Sequence, residues 1–256
     1  MSITNESKLN QLLQKVPSGA LFLSSWMKQN NIPYSLQHRY INSMWLTPVA
    51  SGVMVRTGEK PTLNGAIFSL NTQLEKNISI GAMSALDLLG YSHYVPMGKK
   101  NIELFLPLGE RLPSWFIKYD WGVNLRHFTT ECFGAKTSID TIKQGVFDIL
   151  ISSPERAFME CLYLAPQYYN LTDLYYVMEL LSILQPTKVQ QLLEVCRSVK
   201  VKRLFLYMAE KTRHSWFSEL DLTKISLGSG KREIVKGGVY DNKYRITIPV
   251  DLKNYD

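Results

Sequence analysis

Apolar positions in the first sixty residues recur at helical spacing and then alternate. Leu9, Leu12, Leu13 and Val16, with Ile3 before them, form a helical stripe that PSG at 17–19 ends. SSWMKQNN at 24–31 predicts a short helix with Ser24 or Ser25 as its N-cap. Asn30 and Asn31 tolerate the left-handed turn that stops it, and Pro33 blocks its continuation. Ser35 is placed to cap a further helix reaching about Met44. In WLTPVASGVMVRTG, residues 47–49 and 53–56 read as strands joined at Ala50-Ser51-Gly52, and Gly58 closes the pair. Helix, short helix, tight turn, helix and hairpin, in that order, predict a winged helix-turn-helix.

Two further helices follow in LNGAIFSLNTQLEK and GAMSALDLLGYSHY, after which the texture changes. NIELFLPL, VNLRHFTTECF and GVFDILIS read as strands, with LPSWF as a turn or short helix between them. SPERAFMECLYLA opens a helix with Ser153 as its cap, Pro154 at its first position and Glu155 in its first turn. Helices are predicted at 171–184, capped by Thr172 or Asp173, and at 187–198 and 200–213. The tail GGVYDNKYRITIPV reads as a strand pair turned at Asp241-Asn242. The fold class is α+β: a winged helix-turn-helix domain with accessory helices at 1–92, then a larger mixed α/β domain at 93–256. Neither a repeat nor a low-complexity linker marks the boundary.

Composition narrows the class without naming it. The chain has 256 residues, 45% hydrophobic and 20% charged, ordinary for a soluble protein long enough for two domains. Its longest apolar runs, such as GVFDILI, are too short to span a bilayer. MSITNESKLNQ lacks the charged start and apolar centre of a secretory signal, so a cytoplasmic protein without a membrane partner is expected. Cys132, Cys161 and Cys196 are odd in number and form no CxxC pair, which fits free thiols in a reducing compartment. A net charge of +7 and an isoelectric point near 9.2 suit an anionic partner such as nucleic acid, but many basic proteins bind none.

The helix in IPYSLQHRYINSMWL divides into two faces. Leu36, Tyr40, Ile41, Met44 and Trp45 lie along one, while Ser35, His38, Arg39 and Asn42 share the other at i, i+3, i+4 and i+7. Arg suits guanine, Asn suits adenine, and Ser or His hydrogen-bond more generally. Gln37 flanks this polar face, and Lys28 and Arg56 are candidates for phosphate contacts, which set position rather than sequence choice. Periodicity alone favours a solvated polar face on a core helix, and the order of elements with the short turn before this helix shifts the reading towards recognition.

LFLSSWMKQNNIPYSLQHRYINSMWL, SGVMVRTG, NGAIFSLN, GAMSALDLLGYSHYVP and SPERAFME, in that order, together resemble the AbiEi antitoxins of bacterial abortive-infection, type IV toxin–antitoxin systems. The resemblance covers nearly the whole chain and is strongest at 20–98 and 152–160. It implies a winged helix-turn-helix that represses its own operon at inverted repeats in double-stranded DNA. One copy's small footprint predicts a monomer or weak dimer that cooperates on DNA. The resemblance implies a larger C-terminal domain that contributes to repression and counteracts a nucleotidyltransferase-like toxin without a required stable complex. From the residues themselves no cofactor, metal or catalytic residue is expected. The family often has a Gly-rich, basic wing tip and a Gly before the Trp. Here the tip is Ala50-Ser51-Gly52 and Met44 precedes Trp45, which leaves Arg56 as the nearby cation before Lys60.

Other constellations carry competing readings. Arg197, Lys200, Lys202, Arg203, Lys211 and Arg213 could form a second basic surface or a solvated helix face. GSGKRE at 228–233 lacks the spacing of a phosphate loop. Histidines at 38, 93, 127 and 214 show no metal spacing. Asp148, Glu155 and Glu160 could serve a metal-dependent nuclease, although capping and buried pairing account for SPERA. The aromatics of YLAPQYYNLTDLYY would suit an antitoxin that binds its toxin directly, but at helical spacing they read as core.

Overall fold

The computed structural model describes residues 8–91 and 98–254. Ile3, His93, most of YSHY and the expected 92/93 boundary lie outside them. The chain forms two compact units, one from Met1–Ile78, Glu110–Leu125 and Thr141–Leu150, the other from Ser79–Gly109, Arg126–Asp140 and Ile151–Asp256.

The first unit opens with α1 (Lys8–Lys15), β1 (Phe22–Leu23), α2 (Ser24–Gln29), α3 (Tyr34–Asn42), β2 (Leu46–Ala50), β3 (Val53–Arg56) and α4 (Leu63–Gln73). The strands form an antiparallel sheet in the order β1-β3-β2, with Phe22 opposite Met54 and Leu46 opposite Arg56. Three helices on a small sheet, with β2 and β3 as the wing, make this a winged helix-turn-helix. Its core gathers Leu12, Val16, Phe22, Met27, Ile32, Leu46 and Val55. Sequence periodicity gave no sign of β1, because two residues buried on both sides produce no alternation.

Side chains of α4 complete the free edge of β1. Ser69 Oγ accepts from Leu21 N at 2.8 Å and donates to Leu21 O at 3.0 Å, while Gln73 accepts from Leu23 N at 2.9 Å and donates to Leu21 O at 2.6 Å. The helix thus satisfies buried backbone groups that a fourth strand would otherwise take. Thr62 caps α4 by accepting from Gly65 N at 3.0 Å. A Cβ at Gly65 would lie 2.1 Å from the carbonyl oxygen of Gly19, so a hydrogen is needed where α4 meets the chain entering β1.

The second unit is built on β4 (Ser79–Ile80), α5 (Ala82–Leu88) and β5 (Asn101–Leu106). The chain then passes through the short helix α6 (Ser114–Lys118) to β6 (Asn124–Thr129), β7 (Ile139–Gln144) and β8 (Phe147–Ser152). The sheet order is β6-β5-β4-β8-β7, with β4 antiparallel to β5 and parallel to β8. Helices α7 (Pro154–Leu164), α8 (Leu171–Leu180), α9 (Pro186–Val195) and α10 (Val199–Thr212) follow, and α7 packs against α5 and α10. A small sheet of β9 (Arg232–Glu233), β10 (Val239–Asp241) and β11 (Ile246–Ile248) precedes α11 (Val250–Asn254). Ser153 and Pro154 start α7 as expected, whereas α8 is capped by Asn170 rather than Thr172 or Asp173. The class is α+β, and among the described residues no helix is long and apolar enough to cross a membrane.

Candidate nucleic-acid interface

Pro33, with extended backbone, precedes α3 and fixes its entry. Ser35 therefore lies inside the first turn rather than capping it, and Ser24 is likewise the first residue of α2, behind Leu23. Ser35, His38, Arg39 and Asn42 are all exposed on α3, as is Lys28 on α2. Lys28 Nζ lies 5.4 Å above the ring of Tyr34, which is itself exposed. Leu36, Tyr40 and Ile41 are half-buried on the inner side, and burial raises the pKa of the Tyr40 hydroxyl.

Four expectations about this region are corrected. Gln37 is not on the polar face: it is 3% exposed and joins α3 to α2. Its amide nitrogen donates to Ser24 O at 3.1 Å and Ile32 O at 2.9 Å, and its amide oxygen accepts from Ser24 Oγ. Met44 and Trp45 are not core, being 73% and 52% exposed. The helix ends at Asn42, and Met44 takes φ +54°, so the helical phase that would turn both inward is lost before they are reached. Arg56 is held by the fold: its guanidinium donates to Leu13 O and Val16 O at the end of α1 and pairs with Glu59 at 3.8 Å. The wing is thus left with few free cations. Exposed Tyr34, Met44 and Trp45 beside the polar face carried no sequence signal, because apolar residues near a helix read as core.

The expected second basic surface is not continuous. Arg203 is 1% exposed, and its guanidinium donates to the carbonyls of Leu227, Gly228, Gly230 and Arg245 at 2.8–3.1 Å. Lys202 is buried, and Lys200 donates to Tyr163 O and Ala165 O at 2.7 and 2.6 Å. Burial lowers the pKa of Lys200. Arg197 pairs with Glu131, and Lys211 donates to Lys253 O at 3.3 Å, which leaves Arg213 as an exposed end of the run. The sequence shows a charge run, but α10 is buried on more than one side, and a buried cation needs acceptors. GSGKRE supplies two of the four, with Leu227 and Arg245 supplying the others. Its glycine carbonyls point at Arg203, the reverse of a phosphate cradle, which presents N–H groups.

SPERA is likewise structural. Glu155 accepts from Ser153 Oγ at 2.6 Å and Gln185 N at 3.0 Å. Arg156 donates to Gly134 O and Thr137 O, both at 2.8 Å, and pairs with Glu160 at 2.8 Å. Glu160 is fully buried and accepts from Ala82 N and Ser152 Oγ; burial raises its pKa, and Arg156 pulls the other way. A Cβ at Gly81 would lie 2.3 Å from this carboxylate. Glu155 and Glu160 are thus engaged, Asp148 is exposed on β8, and no metal-holding cluster occurs among the described residues.

The second unit also holds a cavity of about 570 Å³ whose lining includes Asp87, Glu103, Arg126, Tyr168, Tyr169 and Tyr176. Glu103 is buried and accepts from Ser84 N at 3.1 Å, with Arg126 at 3.7 Å. Arg126 lies 5.3 Å from the Tyr168 ring. Tyr168 and Tyr176 are 40% and 45% exposed, so the aromatic run is only partly core. The lining residues come from four separate elements, and no local pattern foretells their meeting.

These features define a protein of the winged helix-turn-helix class with a second α+β unit. Residues 5–97 match the model "Transcriptional regulator, AbiEi antitoxin N-terminal domain", and residues 99–249 match "Transcriptional regulator, AbiEi antitoxin, Type IV TA system". The chain belongs to the AbiEi antitoxin family of transcriptional regulators in type IV toxin–antitoxin systems. The RV2827C protein from Mycobacterium tuberculosis, a solved structure, shares the fold with a TM-score of 0.58 at 13% identity, over 94% of this chain and 89% of that chain. No curated protein matches the sequence.

Proposed function

We propose that the protein is a cytoplasmic autorepressor that binds operator inverted repeats in double-stranded DNA through the exposed face of α3. The observation that supports this reading most is the joint exposure of Ser35, His38, Arg39 and Asn42 on the second helix of a helix-turn-helix. Ser35, His38, Arg39 and Asn42 read base edges, and Lys28 neutralises phosphate. Residues 1–92 bind DNA. Residues 93–256 counteract a nucleotidyltransferase-like toxin without a stable complex and without catalysis of their own. One copy covers a single half-site, so two copies cooperate on DNA as monomers or a weak dimer.

Gel shifts on the DNA upstream of the operon test the reading. Arg39→Ala weakens operator binding by about 1–3 kcal/mol and relaxes base choice. Lys28→Ala weakens all sequences alike and lowers the salt slope by about one. Operator binding unchanged after combined loss of Arg39 and Asn42 sinks the assignment. A second reading, direct toxin binding, draws support from the exposed tyrosines at the cavity of the second unit. It predicts that the toxin co-purifies and that Tyr168→Ala and Tyr176→Ala together abolish this.

A further inference from the structure

We propose that Cys132 and Cys196 form a redox modification site, a dithiol that a hydroperoxide converts reversibly to an intramolecular disulfide. Their sulfurs lie 3.6 Å apart although the residues are 64 positions apart in sequence. Both thiols are free. The backbones that carry them are already tied, since Arg197 N donates to Cys132 O at 2.9 Å. Cys132 N donates to Thr130 Oγ1 at 3.0 Å, and Cys196 N closes α9 on Leu192 O at 2.8 Å. A disulfide needs the sulfurs about 1.5 Å closer, near 2.05 Å.

The pair is 7% and 3% exposed, and a cleft lies beside it. An open cleft of about 380 Å³ is lined by Thr130, Glu131 and Gly134 around the first cysteine and by Val195 and Arg197 around the second. The two thiols are unequal. A hydrogen bond from Cys196 lowers the pKa of Cys132 to about 7, with backbone N–H groups and Arg156 acting in the same direction. Cys196 is held high by the same bond and stays protonated. Cys161 differs from both: it is fully buried in α7, and burial with nearby carboxylates keeps its pKa well above the ordinary thiol range.

Thiolate is the reactive form, so Cys132 attacks first. Its sulfur bonds to one peroxide oxygen, the O–O bond breaks, and the departing hydroxide takes a proton to become water. This leaves a sulfenic acid on Cys132. The Cys196 sulfur then attacks the Cys132 sulfur, the S–S bond forms, the S–O bond breaks, and the hydroxyl leaves as water with the Cys196 proton. Two thiols and one hydrogen peroxide become one disulfide and two waters. The bond ties the segment after β6 to the junction of α9 and α10, independently of the DNA-binding reading.

The test treats the intact native chain with hydrogen peroxide, alkylates it under denaturing conditions, and maps peptides without reductant. Expected are a chain lighter by two hydrogens, a Cys132–Cys196 peptide pair that dithiothreitol releases, and an alkylated Cys161. The cross-linked chain should melt roughly 5–10 °C higher, because the bond closes a long loop in the unfolded state. Cys161→Ser should form the same link. Cys196→Ser should lose it and accumulate a dimedone-trapped sulfenic acid at Cys132. The proposal is overturned by three alkylated cysteines at unchanged mass, by a link through Cys161, or by sulfinic Cys132 in the unsubstituted chain without a link. A cross-linked chain that melts below the reduced one also counts against it, since the bond would then distort the fold.

Discussion

Replacing Gln37 with alanine separates two roles that one residue could have on a recognition helix. Gln37 is 3% exposed, and its amide joins α3 to Ser24 at the start of α2 and to the carbonyl of Ile32 between them. The substitution removes three hydrogen bonds. At about 1 kcal/mol each, the loss is about 3 kcal/mol, before any contribution from the space left behind. For a chain of this size, that lowers Tm by roughly 6–12 °C. Thermal unfolding followed by far-UV circular dichroism measures it directly. DNA binding at low temperature, where the variant remains folded, should keep its base preference. A variant with unchanged Tm and an altered operator preference would refute the reasoning, because Gln37 would then face the groove.

Three further outcomes are expected. Arg203→Ala removes four hydrogen bonds to part-buried carbonyls and empties a buried side-chain site, so it should destabilise the chain by about 2–4 kcal/mol in urea unfolding, whereas Arg213→Ala at the exposed helix end should stay within about 0.5 kcal/mol. Gly65→Ala should lower stability by about 1–3 kcal/mol despite alanine's better helix propensity, because the new methyl meets a backbone oxygen; a denaturation midpoint that rises would contradict this. Cys196→Ala should raise the Cys132 pKa from about 7 towards the ordinary thiol range, read from the pH dependence of iodoacetamide alkylation. The sign follows from a folded pKa below the unfolded one. The stability Cys132 contributes is present above its ordinary value of 9.0 and is lost as pH falls through about 7, so the variant should lack this rise with pH.

The family resemblance and the winged helix-turn-helix were legible along the chain because they rest on local signals. Pro33 before α3, the apolar stripe of α1, the strand pair around Gly52, and Ser153-Pro154 opening α7 each act within a few residues. Exposure of Ser35, His38, Arg39 and Asn42 followed from the same short-range periodicity. Helical phase failed where the helix stopped: Met44 and Trp45 continue the apolar stripe on paper, yet a left-handed residue turns them outward.

What only the tertiary structure decided concerns partners distant in sequence. Gln37 and Arg39 are polar neighbours on one helix, but α2 lies against one and solvent against the other. Arg203 belongs to a charge run, and the carbonyls that draw it inward lie 24 to 42 residues away. Cys132 and Cys196 share no motif and meet because the end of β6 and the end of α9 are held by a backbone hydrogen bond. Periodicity reports which face of an element is apolar. Whether a polar side chain is free or committed depends on what the rest of the fold brings within about 3 Å of it, and hydrogen bonds carry no trace in the spacing of residues along the chain.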